Sequence, residues 1–247
     1  VLKNVITSMD VRNFIPGMVV DFYSKEGEKL TIGPRRIMSV DRANNTITVD
    51  GAELTTTTLP IGTYMTVQGS YNQEITGLGA IFKSSGTLYG LDKSKHGWLV
   101  PHLIEAVGEI SETIIQKAID YVEEGAGSKI NFIICSSGVK RAFMKHLSTY
   151  KRNLDVTELK GGYKVLSYNG IPIVSDRFCP AGTMYLLNTE DFALHQLCDW
   201  QWLEGDDGKV IKQIAGKPTY SATLVKYAEL ICTRPCGQAR LTGITEE

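Results

Sequence analysis

What is scarce in this sequence narrows its class first. Its 26 basic and 27 acidic side chains nearly cancel, so it lacks the basic excess of a dedicated nucleic-acid binder. No run approaches the roughly 18 consecutive apolar residues that cross a bilayer as a helix, and no membrane partner is expected. Five cysteines, Cys135, Cys179, Cys198, Cys232 and Cys236, are too few and too irregular for a disulfide framework. They are expected as reduced thiols of an intracellular protein. With 43% hydrophobic and 21% charged residues over 247 positions, bulk disorder is excluded and more than one compact unit is affordable.

Catalytic patterns are equally thin. His96, His102, His146 and His195 are scattered, and none stands at metal-ligand spacing from another His, Cys or carboxylate. Cys232 and Cys236 form a lone pair without a second pair, reading as one strand position and one turn position. Cys135-Ser136-Ser137-Gly138 lacks the glycine two residues before the serine that a nucleophile elbow requires, so Ser136 or Ser137 reads as a helix cap. Gly125-Ala126-Gly127 follows a helix instead of a strand and has no third glycine, unlike a dinucleotide loop. Asp206-Asp207-Gly208 lacks the alternating oxygen ligands of a calcium loop. Glu123-Glu124 and Glu246-Glu247 read as solvated charges. No nucleophile, base and oxyanion set assembles from these parts, so no catalytic, cofactor-binding or metal residue is assigned.

The pattern that is present is structural. Between Pro101 and Glu124, Ile104, Val107, Ile114, Ile115, Ala118, Ile119 and Val122 recur at three- and four-residue steps, with acidic and polar residues opposite. This predicts one amphipathic helix over 101–124, about 33 Å long, with its start marked by Pro101 and its stop by Gly125 and Gly127.

Residues 11–70 change character. MVVDFYS, KLTI, RRIMSVD, NTITVD and TYMTVQG are short β-prone runs separated by turn residues. Five such strands predict a small closed or nearly closed barrel, with Asn44-Asn45 as a hairpin turn. Residues 71–100 are an irregular, Gly- and Ser-punctuated connection, with a possible short helix at 76–82 and apolar residues that need cover from the long helix or a neighbour.

After the helix come a strand at 130–135, a second amphipathic helix to about Tyr150, and a polar connector at 154–160. Strands about the Asn169-Gly170 and Pro180-Ala181-Gly182 turns follow, then a Thr- and Val-rich end that alternates as one long strand or as two broken at Pro235. Lys140, Arg141, Lys145 and Lys151 read as a solvated basic face. Helices and strands mix without a regular βαβ repeat, which predicts an α+β class. Val1 opens in mid-pattern, so 1–10 reads as the remnant of a larger N-terminal region.

Several stretches, in order, resemble the major capsid proteins of tailed phages with the Hong Kong 97-type coat fold. They are GLGAIFKSSGTLYGLDKSKHGWLVP, NFIICSSGVKRAFMKHL, YNGIPIVSDRFCPAGTMYLLNTEDFAL and ARLTGI, and the likeness covers about 71–244. It implies that the helix at 101–124 is a spine. With 71–129 and about 219–247 the spine would form a peripheral domain, and about 130–218 an axial domain. The 11–70 barrel would be an inserted accessory domain. The resemblance further implies a non-enzymatic subunit without cofactors that self-assembles into pentamers and hexamers of a virion capsid, made in the host bacterial cytoplasm. Scaffolding and portal proteins would be partners, and packaged DNA would be contacted only non-specifically. An encapsulin-like nanocompartment shell is the alternative within that resemblance, with a hydrolase or ligand-binding protein as the alternative outside it.

Overall fold

The computed structural model describes residues 4–8, 10–150, 156–158, 164–205 and 207–247. The chain divides into two compact units, Val1–Glu74 and Ile75–Glu247.

In the first unit, β1 (Val5–Thr7), β2 (Val19–Tyr23), β3 (Arg35–Asp41), β4 (Thr46–Val49) and β5 (Tyr64–Val67) pair antiparallel in the order β1-β4-β3-β2-β5. Alternation along the strands sends Val20, Phe22, Ile37, Ile47 and Val49 into one small core. Asn45, with φ +51°, makes the expected hairpin turn between β3 and β4. Two expectations change. KLTI is not a strand, because Gly33 in the left-handed region and Pro34, which has no N–H, turn the chain there. The fifth strand comes instead from Val5–Thr7, within the stretch read as a remnant. The sheet is also open, with β1 and β5 as its two edges among the described residues.

The second unit begins with the one-turn α1 (Leu78–Ile81), the hairpin strands β6 (Thr87–Leu88) and β7 (Leu91–Asp92), and β8 (His102–Ile104). Next come α2 (Glu112–Ala126), β9 (Phe132–Cys135), α3 (Ser137–Tyr150), β10 (Val156–Glu158), β11 (Lys164–Tyr168), β12 (Ile171–Ser175) and β13 (Met184–Leu187). The chain closes with β14 (Phe192–Trp202), β15 (Lys212–Gln213), β16 (Tyr220–Ser221), β17 (Leu224–Cys232) and β18 (Ala239–Leu241). The polar connector expected at 154–160 contains β10, and its other residues lie outside the described set, as does Lys151. Pro235 does interrupt the end of the chain, opening a 3-10 turn between β17 and β18.

A seven-stranded mixed sheet, β10-β11-β12-β9-β13-β18-β8, organises this unit. Asn169 and Gly170, at φ +48° and +81°, form the tight turn that joins β11 to β12. Strict alternation gives the sheet two buried faces. Ile133, Cys135, Met184, Leu186, Ala239 and Leu241 face α2 and α3, meeting Ile115, Ala118, Val122, Val139, Phe143 and Leu147. Tyr185 and Leu187, with Leu103 and Ile134, face the other way onto Ile81, Phe82, Leu88 and Leu99. Ile81, Phe82, Leu88 and Leu99 of the 71–100 connection are therefore covered by the far face of the sheet, not by the long helix, whereas Tyr89, Leu91 and Trp98 stay exposed.

The helix expected over 101–124 is shorter. Ser111 caps α2, accepting from Ile114 N at 3.4 Å, and Gly127 ends it at φ +60°. Fifteen residues make a rod of about 22 Å. Residues 102–104 instead lie parallel to β18, and Ala106 and Gly108 at φ +53° and +73° break any helical path. Val107 N and Gly108 N donate to Thr242 O and Gly243 O, so distant backbone meets the needs that a helix would have met locally. Strand β18, expected with the spine in a separate peripheral domain, is paired to β13 within this same sheet.

The C-terminal residues are pinned to α3. Ser136 caps that helix through Val139 N and also bonds the Glu246 carboxylate, which accepts from Gly182 N at 2.8 Å. Arg141 Nε and Lys145 Nζ hold Glu247 at 2.6 and 2.5 Å, so the basic face of α3 is partnered there as well as solvated.

Two measurements check this packing. Ile115 is 0% exposed, so Ile115→Ala should cost about 2–5 kcal/mol in denaturant unfolding, and Ile115→Lys should prevent folding. His102 stacks on Tyr121 at 3.6 Å, and its burial lowers its pKa below the ordinary 6.5. The neutral ring is therefore favoured in the folded state, and its contribution should be complete above pH 6.5 and decline as pH falls through the depressed folded value. The stability difference between wild type and His102→Phe, followed by chemical denaturation across that range, should carry this slope; a flat difference would contradict it.

Candidate assembly surface

The least ordinary part of the molecule is the antiparallel ribbon β14/β17. Its strands carry aromatic and large aliphatic residues, and they pair from Phe192↔Cys232 at the base to Trp202↔Leu224 at the far end. Eleven residues of β14 give a reach of about 36 Å. Register shifts between Gln196 and Cys198, and again between Cys198 and Gln201, twist the ribbon along its length. Beyond Trp202 the small hairpin β15/β16 forms the tip, and Glu204–Gly208, expected as an exposed loop, leads into it, with Asp206 outside the described residues.

The base is locked by a buried polar network. Asp191, 8% exposed, accepts from Arg234 Nη2 at 3.2 Å, Arg234 Nε at 3.3 Å and Gln238 Nε2 at 2.8 Å. Gln238 Oε1 in turn accepts from Asn188 N, Asn188 Nδ2 donates to Ser128 Oγ, and Arg234 Nη1 reaches Ala126 O at the end of α2. Three elements, α2, β13 and β18, thus converge on one carboxylate. The connector adds a second fastening. Tyr89 hydroxyl donates to Leu230 O and accepts from Cys232 N, both at 2.9 Å.

Past this base the ribbon leaves the core. Leu194, Leu197, Trp200, Trp202, Tyr220 and Tyr227 are all exposed, Leu197 at 88% and Trp200 at 65%. Lys226 ties one side together, donating to Asp199 at 2.8 Å and lying 5.9 Å from the Trp200 ring. That hydrogen bond is the main reason the Asp199 carboxyl is held below its usual range. A two-stranded ribbon with apolar residues on both faces is marginal in water by itself, and contiguous exposed apolar surface of this kind marks a contact site.

Residues considered for chemistry are scattered over the second unit. His195 lies on the exposed ribbon, His102 against Tyr121, and His96 beside Trp98. His146 lines a cavity of about 250 Å³ with Glu109, Lys145 and Glu247, and neither Cys nor Asp joins it there. Burial pushes the Cys135 thiol up to about 12 and the Cys232 thiol up to about 11, away from the thiolate a nucleophile needs. Among the described residues no three His, Cys, Asp or Glu side chains gather as metal ligands. The ribbon itself was visible in the sequence only as DWQWLEGDDGK and TYSATLVKY. Trp, Leu and Tyr at 197–202 and 220–227 in alternating text are its signal, but alternation does not reveal that neither face would be covered.

Residues 62–209 match the family model described as SU10 major capsid protein. No curated protein matches the chain. Among solved structures, a chain of the capsid asymmetric unit of cyanophage A-1(L) aligns with a TM-score of 0.54 and 19% identity, over 72% of this chain and 61% of that one. This likeness is one of fold. The holo-SrpI encapsulin complex of Synechococcus elongatus aligns with a TM-score of 0.44 and 15% identity, over 58% of this chain and 53% of that one. The chain therefore spans between half and two thirds of the length of these solved chains.

Tyr89→Phe removes a hydroxyl that both donates and accepts, and should lower unfolding free energy by about 1–3 kcal/mol. Leu197→Ser, at a site that touches little in the monomer, should stay within about 0.5 kcal/mol of wild type by the same denaturant titration.

Proposed function

The chain belongs to the SU10 major capsid protein family, and we propose that it is the structural subunit of a phage or prophage head. In this reading it assembles with copies of itself into pentamers and hexamers and acts in the virion shell without catalysis. The observation that carries the reading is the family match over 62–209, which takes in the seven-stranded sheet apart from β18, both long helices and the first strand of the ribbon.

The exposed ribbon is the feature such a subunit needs. A shell forms from many copies of a few contacts, each of which can be modest because multivalency multiplies them. Burying Leu197, Trp200, Trp202 and Tyr227 against a neighbour would supply one such contact, at about 25 cal/mol per Å² of apolar surface removed from water. Near-zero net charge suits a shell that encloses DNA and touches it only non-specifically.

The finer assignments belong to the same proposal. The fold is of the Hong Kong 97 type, with α2 as the spine helix, 71–129 and about 219–247 in the peripheral region, which takes in the spine and β17, and about 130–218 in the axial region, which takes in β9 to β14. The first unit is an inserted accessory domain. Scaffolding and portal proteins are the further partners.

Electron microscopy and sedimentation of the full-length product, expressed with its neighbouring genes, provide the test. Capsomers or closed shells are expected, and Leu197→Asp with Trp200→Asp should leave a folded subunit that no longer assembles. A wild-type protein that stays strictly monomeric, with and without scaffolding factor, would overturn the reading.

A further inference from the structure

One group of charges in the second unit has no counterpart. Lys93 is 2% exposed, and its ammonium donates to Ala80 O, Ile81 O and Lys83 O at 3.3, 2.6 and 2.6 Å. It fastens the end of α1 through carbonyls alone. Phe82, the residue before Lys83, packs edge-on against Tyr185 at 5.0 Å. The cross-strand partner of Tyr185 is Arg240, whose Nε is buried without a hydrogen-bond partner. Lys83, Lys93 and Arg240 are thus gathered on the connector face of the sheet. Among the described residues none of them has a carboxylate at ion-pair distance.

Such a cluster is costly in an isolated subunit. Burial, then the nearby Lys83 and Arg240 charges, lowers the pKa of Lys93. A partly buried cation without an anion carries an uncompensated desolvation cost, which an anion arriving from outside would offset. Lys93 is sealed and supplies only field. Lys83 is exposed and Arg240 partly so, and these two remain available to a ligand.

We propose that Lys83 and Arg240 receive a carboxylate from α2 of a second copy of this chain, Glu123 or Glu124; the proposal rests on the shell reading above. Charge complementarity and topology select this occupant. Glu123 and Glu124 are exposed on the last turn of α2, and α2 packs on the sheet face opposite the connector. Subunits related by rotation in a ring meet through unlike surfaces, so the connector face of one copy would meet the helix face of the next. A guanidinium and an ammonium around one carboxylate would set register between copies, while the apolar ribbon supplies area.

The test uses the full-length chain under conditions where wild type assembles, with Lys83→Glu, Arg240→Gln, Glu123→Lys combined with Glu124→Lys, and the triple exchange of Lys83→Glu with both glutamate reversals. Lys83 is exposed, so Lys83→Glu should melt as wild type does. It should raise the protein concentration for half-assembly by about tenfold at low salt, and the gap should narrow as salt rises. The triple exchange should recover most of the loss. Lys83→Glu assembling like wild type overturns the contact, and a failed exchange overturns α2 as its source. Inorganic phosphate that raises the melting temperature of wild-type subunits, but not of Lys83→Glu or Arg240→Gln, at matched ionic strength would assign the site to a free oxyanion instead. A wild type that never oligomerises sinks this inference and the shell reading together, whereas an assembling wild type with unaffected variants sinks this one alone.

Discussion

The Asp191 carboxylate is the constraint on which the second unit depends. It sits where the end of α2, the exit of β13, the base of the ribbon and the approach to β18 meet, and it binds Arg234 and Gln238 directly. A nearly buried charge of this kind is tolerable only with its hydrogen bonds complete, and it loses much if one partner is withdrawn. Its worth is geometric as well as energetic. Because Thr233 N also donates to Asp191 O at 2.8 Å, the ribbon leaves the sheet in a defined direction although the large apolar side chains of its far half are exposed.

Sheet and ribbon apply the same alternation to opposite ends. In β13, successive residues serve two cores, Met184 and Leu186 under the helices and Tyr185 and Leu187 under the connector. In β14 and β17, among the described residues, no second layer lies over either face, so large apolar side chains stay in water. In the shell reading proposed above, a chain built this way is stable through its sheet and would adhere to its neighbours through its ribbon. That division of labour is what a shell component requires, since folding must precede assembly and survive without it.

The irregular connection at 76–99 does more than link elements. Phe82, Leu88 and Leu99 close the second face of the sheet, Lys93 holds α1, and Tyr89 bolts the ribbon. Tyr89 does so at φ +51°, a conformation uncommon for a side chain of its size, held by contacts from β17. Segments without periodicity can thus carry structure when each apolar or polar group finds a distant partner.

What the sequence determined by itself was local. The amphipathic period of α2 and α3, the Asn45 and Asn169-Gly170 turns, the Ser136 cap and the break at Pro235 follow from residue chemistry within a few positions. The ordered motifs between Tyr71 and Ile244 were enough to point to a family. Tertiary structure decided what depends on distant partners. Ile104 and Val107 fit a helix as well as a strand, and only β18 and Thr242, more than a hundred residues away, draw 102–108 into the sheet. Lys29 and Leu30 read as strand until the Gly33-Pro34 turn and the pairing of β1 with β4 are seen together. Whether an alternating segment is buried on one face, on both or on neither depends on layers that no local window contains. For that reason the sheet core, the open edges of the first unit and the uncovered ribbon emerged only in three dimensions.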